Sequence, residues 1–229
     1  MKNNITQLST HDFGQYFDHT LLKASAQKAD FEQLCAEGVA INAKTLAVNP
    51  AAVRFCAERL EGSSVLICAA TGFPLGQATV ATKVFESIDA IENGADEIDY
   101  VVNITELKAG NIKYITDEMQ AIVTACRERN VVSKVIFETC YLTDDEKKQL
   151  CAVANRIQPD FIKTSTGFGT GGATLADIKL MRAYADAAIS IKASGGIKTL
   201  ADTRAMIAAG ASRIGTSSAV AIIGEYGAS

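Results

Sequence analysis

The chain has 229 residues, 48% of them hydrophobic and 21% charged, with a formal net charge of −4. That is the balance of an ordinary globular protein, large enough to bury a core without help from disulfides or metal. A weakly acidic chain with no long basic run makes a poor binder of nucleic acid or of an anionic membrane surface, so neither partner is expected.

Short apolar runs alternate with longer amphipathic stretches. In chain order the pattern predicts strands at 16–18, 45–48, 65–70, 97–102, 134–138, 161–164, 189–193 and 213–216. Between them it predicts helices at 29–37, 51–60, 77–93, 115–129, 144–156, 174–185 and 200–209. Gly38, Gly94 and Gly210 are read as left-handed helix ends that lead into strands. Thr143 with Glu146 reads as a capping box. Gly94-Ala95-Asp96-Glu97-Ile98 echoes Gly210-Ala211-Ser212-Arg213-Ile214, and Ile162-Lys163-Thr164-Ser165 echoes Ile191-Lys192-Ala193-Ser194. Both echoes suggest a repeated helix-to-strand unit.

Strands alternating with helices call for a parallel sheet. Eight such units in this length fit a TIM barrel occupying 1–229 as one domain, with a short N-terminal helical segment ahead of it. An open doubly wound sheet is the alternative, but no Gly-x-Gly-x-x-Gly follows the first strand.

In a barrel the active face lies at the strand C-termini. The polar residues that interrupt or end the apolar runs are Asp18, Asn49, Asp99, Glu138, Lys163, Lys192 and the pair Ser217-Ser218. Lysine is rarely buried unpaired, so Lys163 and Lys192 in matching apolar strands stand out. A single such lysine would be read as one snorkelling from a strand end beside a carboxylate. Two close together repel, and burial adds to the pressure toward a neutral amine. An unperturbed lysine has a pKa of ~10.4, so about one in ~10³ is neutral at pH 7. Lowering that value by three units costs ~4 kcal/mol, and the product is an amine able to attack a carbonyl. Asp99 and Asp18 are candidates to hold one lysine charged and to move protons; either is equally readable as half of a structural ion pair. The last strands end in Ser194-Gly195-Gly196 and Gly215-Thr216-Ser217-Ser218, where barrels often seat a phosphate at a helix N-terminus. Gly167 offers a further amide, and Phe73 and Leu75 are read as possible pocket walls.

At these residues the sequence resembles the deoxyribose-phosphate aldolase family of class I aldolases. The matching segments are Asp18-His19-Thr20-Leu21-Leu22-Lys23, Gly72-Phe73-Pro74-Leu75-Gly76, Gly94-Ala95-Asp96-Glu97-Ile98-Asp99, Lys134-Val135-Ile136-Phe137-Glu138-Thr139, Phe161-Ile162-Lys163-Thr164-Ser165-Thr166-Gly167-Phe168, Lys192-Ala193-Ser194-Gly195-Gly196-Ile197 and Arg213-Ile214-Gly215-Thr216-Ser217-Ser218. The resemblance implies reversible cleavage of 2-deoxy-D-ribose 5-phosphate to acetaldehyde and D-glyceraldehyde 3-phosphate on a TIM barrel. It implies that Lys163 forms the Schiff base, Lys192 lowers its pKa, Asp99 relays protons and Asp18 positions Lys192. Thr20, Gly167, Gly195, Gly196, Gly215, Ser217 and Ser218 match substrate- and phosphate-contacting segments. The chain departs from the family pattern at Ala47, Tyr100 and Phe168, and Tyr226 is a candidate for a C-terminal tyrosine reaching the site. Another class I or transaldolase-like barrel, or a phosphosugar-binding relative without activity, remains an alternative.

Two histidines, His11 and His19, and no acidic cluster leave little for a metal site, so no metal or cofactor is expected. Six cysteines without a CxxC pair read as buried thiols in a reducing compartment. The segment Met1–Gln7 lacks the apolar core of a signal peptide, and no apolar run approaches the ~18 residues of a membrane span. The expectation is a cytoplasmic enzyme acting on a small phosphosugar and aldehyde, assembled as a homodimer or homotetramer.

Overall fold

The structure is a computed structural model that describes residues 7–228. Residues 1–6 and 229 lie outside the described residues, and with them most of the segment read above for a signal peptide and the two ends of the 1–229 domain assignment.

Among the described residues eight strands form a closed barrel: β1 (Phe17–Leu21), β2 (Thr45–Val48), β3 (Leu66–Thr71), β4 (Glu97–Val101), β5 (Val132–Ile136), β6 (Phe161–Lys163), β7 (Ser190–Ser194) and β8 (Arg213–Thr216). They pair in parallel in chain order, and β8 closes on β1. Ten α-helices accompany them: α1 (Thr10–Gly14), α2 (Lys28–Ala40), α3 (Val53–Arg59), α4 (Val80–Glu92), α5 (Ile104–Lys108), α6 (Ile112–Arg127), α7 (Asp144–Ile157), α8 (Leu175–Tyr184), α9 (Leu200–Ala209) and α10 (Ala219–Gly227). This is the TIM barrel expected from the sequence.

Strand side chains alternate between the inside of the barrel and the layer under the helices. Ile98, Tyr100, Val135, Ile162, Ile191 and Ile214 take the outer position and are fully buried there. Helix α6 meets them with Ile115, Met119, Ile122 and Cys126, a spacing that keeps one helical face apolar. At the N-terminal end of the strands, α1 packs Phe13 edge-on to Phe17 at 5.1 Å and stacks it on Tyr226 at 4.2 Å.

Several boundaries differ from the sequence reading for physical reasons. Strand β1 runs on through His19 and Thr20, because His19 takes the outer position and pairs there with Glu37 of α2 at 2.8 Å. Strand β5 starts two residues earlier, which makes Lys134 a mid-strand residue. Gly38 does not end a helix; it lies within α2, and a Cβ there would come 2.5 Å from Leu46 Cδ2, so it lets α2 lie against β2. Gly94 and Gly210 do take positive φ, at 109° and 122°. The Thr143–Glu146 capping box opens α7, with reciprocal bonds of 3.3 and 2.7 Å. Helices α5 and α10 were not foreseen.

A buried ion pair fixes the end of β4. Lys83 of α4 donates to Glu118 of α6 at 2.6 Å and to the Val101 carbonyl at 2.7 Å. The other Glu118 oxygen accepts from the Asn103 amide at 3.0 Å. Removing either partner would strand a buried charge, a loss of about 3–5 kcal/mol. The pair thereby holds the strand that carries Asp99.

Candidate active site

Among the described residues seven charged side chains meet inside the barrel. Asp99 of β4 is the centre. Its Oδ2 accepts from Lys163 of β6 at 2.5 Å and from Lys192 of β7 at 2.7 Å. Its Oδ1 accepts from Lys134 of β5 at 2.7 Å and from the Cys68 thiol of β3 at 3.0 Å. Asp18 of β1 pairs with Lys192 through Oδ2 and with Arg213 of β8 through Oδ1 at 2.6 Å. Glu97 joins Lys134 at 2.6 Å and Arg213 at 3.1 Å. All of these residues are buried.

Counting charge separates the lysines. Among the described residues this network holds three carboxylates, Asp18, Glu97 and Asp99, and four basic groups, Lys134, Lys163, Lys192 and Arg213. A full set of charges would leave one unmatched cation in a dry interior, which is costly. Lys163 has the weakest hold on charge. It pairs with Asp99 alone, and burial, followed by repulsion from Lys192, outweighs Asp99 and lowers its pKa. Burial opposes the charge of Lys192 too, but Asp18 and Asp99 together outweigh it and raise its pKa. Lys134 is raised well above the ordinary value in the same way, by Asp99, Cys68 and Glu97 against burial. Asp18 and Asp99 are both held below the ordinary carboxylate value, the cations overcoming the burial penalty. Burial, reinforced by Asp99, pushes the Cys68 thiol up to about 12, so it remains a donor.

Asp18, Cys68 and Glu97 present donor atoms within 4.8 Å of one another. Their carboxylates are already matched by Lys192, Lys134 and Arg213, so a metal ion there would have to displace bound ammonium and guanidinium groups.

The network opens upward into a cavity of about 710 Å³ at the strand C-termini. Thr20, Lys163, Lys192, Asp99, Gly167, Gly195, Gly196, Gly215, Ser217 and Ser218, all predicted from the sequence, line it. Asp18 does not; it lies below, one layer deeper, and reaches the cavity only through Lys192. Thr20 donates its hydroxyl to the Asp18 carbonyl at 2.9 Å. Gly195 and Gly196 line the cavity with φ of 85° and 79°, a conformation that side chains resist. Opposite them Ser218 is the N-cap of α10 and keeps its hydroxyl off the helix, beside the positive end of the helix dipole. Gly215 works differently from the other glycines. It sits within β8, and a Cβ there would lie 3.0 Å from both Lys192 Cε and Ser194 Cβ, so its bareness makes room for the Lys192 stem.

Ala47 lines the cavity at the position paired with Cys68, and Phe168 lies at its mouth, 53% exposed. Tyr100 does not line it; it points outward, under the helices, and is fully buried. Tyr226 is likewise removed from the site. Its hydroxyl donates to the Leu8 carbonyl at 2.8 Å, at the far end of α10 from the β8 loop. The Phe73 ring centre lies 5.3 Å from Lys163 Nζ, but neither Phe73 nor the exposed Leu75 lines the cavity. Lys134, Glu97, Arg213 and Cys68 were missed by the sequence reading.

Fold and site together define a β/α-barrel aldolase. The chain belongs to the DeoC/LacD family of aldolases, which matches residues 14–224. It is 51% identical over 211 residues to the deoxyribose-phosphate aldolase of Lactobacillus acidophilus, covering 92% of this chain and 89% of that one. It is 48% identical over 218 residues to the deoxyribose-phosphate aldolase of Carboxydothermus hydrogenoformans, covering 94% and 96%. Among solved structures it is similar to the tetrameric deoxyribose phosphate aldolase of Aeropyrum pernix, with a TM-score of 0.89 and 30% identity over 96% of this chain and 92% of that one.

Proposed function

We propose that the protein reversibly cleaves 2-deoxy-D-ribose 5-phosphate to acetaldehyde and D-glyceraldehyde 3-phosphate through an imine on Lys163. The observation that carries this reading is that Lys163, at the floor of an open cavity, pairs with Asp99 alone while Lys192, Lys134 and Arg213 each meet at least two carboxylates, which leaves Lys163 the cation closest to neutrality.

The neutral Lys163 amine attacks C1 of the open-chain sugar. Loss of water, assisted by proton transfer, gives an iminium ion. A base takes the proton of the C3 hydroxyl, the C2–C3 bond breaks and its electron pair moves into the C1–C2 enamine. C3 leaves as the aldehyde of glyceraldehyde 3-phosphate. The enamine is protonated at C2, and water then releases acetaldehyde and the free amine. Asp99 moves these protons, a role supported by its contact with Lys163 and Lys192 through one oxygen. Lys192 stays an ammonium and serves as its proton reservoir. Asp18, Glu97, Lys134 and Arg213 hold both in place. Gly167, Gly195, Gly196, Ser217 and Ser218 receive the phosphate through backbone amides, hydroxyls and the α10 N-terminus.

Aldehyde release from 2-deoxy-D-ribose 5-phosphate, measured with EDTA present, tests the reading. Turnover in the wild type and its loss in Lys163→Leu are expected. Cleavage only of some other phosphosugar would move the enzyme to a sibling aldolase, and binding without turnover would make it a phosphosugar-binding relative.

Self-association as a dimer or tetramer is part of the same reading, by likeness to the Aeropyrum pernix protein, and light scattering on the purified chain tests it. A cytoplasmic setting is read from the six free cysteines, five of them buried. No helix among the described residues is long and apolar enough to cross a membrane.

A further inference from the structure

Glu138 has a backbone conformation that its place in the fold does not explain. It follows β5 with φ 55° and ψ 61°. Among the described residues the other non-glycine positions with positive φ are Asn42, Asn130 and Gln158. Asparagine tolerates that region, and Gln158 takes it as the C-cap of α7. Glu138 is not asparagine, and its place as the N-cap of a short 3-10 turn, Thr139–Tyr141, calls for extended backbone and not for a left-handed one. Such a conformation persists where the surroundings hold it, and it concentrates at functional sites.

What holds it is the loop after β6. The Glu138 carboxylate is buried and accepts from the Thr166 amide at 3.2 and 3.3 Å and from the Thr166 hydroxyl. The same hydroxyl accepts from the Phe168 amide at 3.0 Å. Backbone support comes from the Thr139 amide, which donates to the Thr164 carbonyl at 2.9 Å. Gly169 presses on the group from above, since a Cβ there would come 2.8 Å from Cys140 Sγ and 3.2 Å from the Glu138 carboxyl carbon. The far end of the loop is tied separately, by the Ala173 amide to the Ser194 and Gly195 carbonyls at 3.0 and 3.1 Å. Glu138 does not line the cavity, whereas Thr166, Gly167 and Phe168 do.

We propose that Glu138 is a positioning residue for phosphate recognition: its carboxylate shapes the 166–169 turn so that the Gly167 amide faces the substrate phosphate. This rests on the proposed aldolase reading. A group acting only through the phosphate changes the binding of phosphorylated substrate and leaves the chemistry on the sugar alone.

The test compares 2-deoxy-D-ribose 5-phosphate with unphosphorylated 2-deoxy-D-ribose in wild type, Glu138→Ala, Glu138→Asp and Glu138→Gln. Alanine removes the acceptor. Aspartate keeps the charge and tolerates the left-handed backbone, but falls a methylene short of Thr166, so it reports even if the alanine variant does not fold. In both, KM for the phosphate ester is expected to rise about tenfold or more, with kcat/KM for 2-deoxy-D-ribose within about twofold of wild type. Glutamine keeps an acceptor oxygen at full reach and is expected to bring KM most of the way back to the wild-type value. Equal losses on both substrates, or an unchanged KM for the ester in the aspartate variant, would overturn the proposal. A wild type that cleaves both sugars equally well would instead overturn the phosphate site itself, and the proposal with it.

Discussion

Lys163 and Lys192 stand opposite one another on β6 and β7 and donate to the same oxygen, Oδ2 of Asp99. Their geometry is nearly equivalent; their surroundings are not. Lys192 has a second carboxylate, Asp18, and Lys163 has none. That one difference makes Lys192 the charged member and Lys163 the amine that burial and its neighbour drive toward neutrality.

The pH dependence of the reaction follows. Attack needs neutral Lys163, so kcat/KM rises with pH through the Lys163 pKa. Replacing Lys192 by methionine removes the repulsion that lowers this value. The ascending limb of the pH–rate profile is therefore expected to move to higher pH, and the rate at neutral pH to fall by about 10²-fold or more, as for loss of a general acid–base partner. An ascending limb that stays put in Lys192→Met contradicts the assignment.

Stability should separate the same two residues in the opposite sense. Lys163 is the surplus cation, so Lys163→Met is expected to stabilise the fold by about 1 kcal/mol, in the way that removing a strained catalytic group does. Lys192→Met leaves Asp18 and Asp99 short of a partner and is expected to destabilise it by about 3–5 kcal/mol. Urea unfolding of both variants at neutral pH decides this. Destabilisation by both would mean that the charge count is wrong.

The pH window of that stability is set by the raised lysines and lowered aspartates. Lys192 and Lys134 titrate above their ordinary 10.5 in the fold, so their contribution is complete below 10.5 and is lost as pH climbs through the folded values. Asp18 and Asp99 titrate below 3.8, so theirs is complete above 3.8 and is lost as pH falls through the folded values. The Tm gap between wild type and Lys192→Met is expected to be widest between these limits and to narrow outside them. A gap that does not change with pH would contradict the linkage.

Gly215→Ala tests the packing beneath the lysines. The new Cβ would lie 3.0 Å from Lys192 Cε and from Ser194 Cβ, so the Lys192 stem must give way and its grip on Asp18 and Asp99 is disturbed. A loss of about 1–3 kcal/mol in stability is expected from overpacking, with kcat falling and the pH–rate profile moving as in Lys192→Met. Wild-type kinetics in this variant would show that Lys192 tolerates displacement.

Much of this site was legible because polar residues stood out in apolar strands. Asp18, Asp99, Lys163 and Lys192 each break a hydrophobic run, and the alternation of strands and helices fixed the end of the barrel they face. Lys134 and Arg213 were overlooked because each opens its apolar run in the sequence, where a charge reads as an ordinary solvated strand start. The available signal was spacing: Glu97 and Asp99 are two apart and therefore share a face, and with Asp18 they make three buried carboxylates, one more than Lys163 and Lys192 can match. The roles of Gly38, Gly215 and Tyr226 depend on contacts between elements distant in sequence, such as Leu46 against α2 and Leu8 against α10, and no local pattern carries them. Helix α10 hid behind Gly224, Gly227 and a run too uniformly apolar to show a helical period.

The imine itself is the most direct test. The protein is incubated with acetaldehyde, reduced with borohydride, digested and mapped by mass spectrometry. Lys163 is expected to carry an added ethyl group, with Lys192 and Lys134 unmodified. An adduct on either of those lysines, or no adduct at all, would contradict the account.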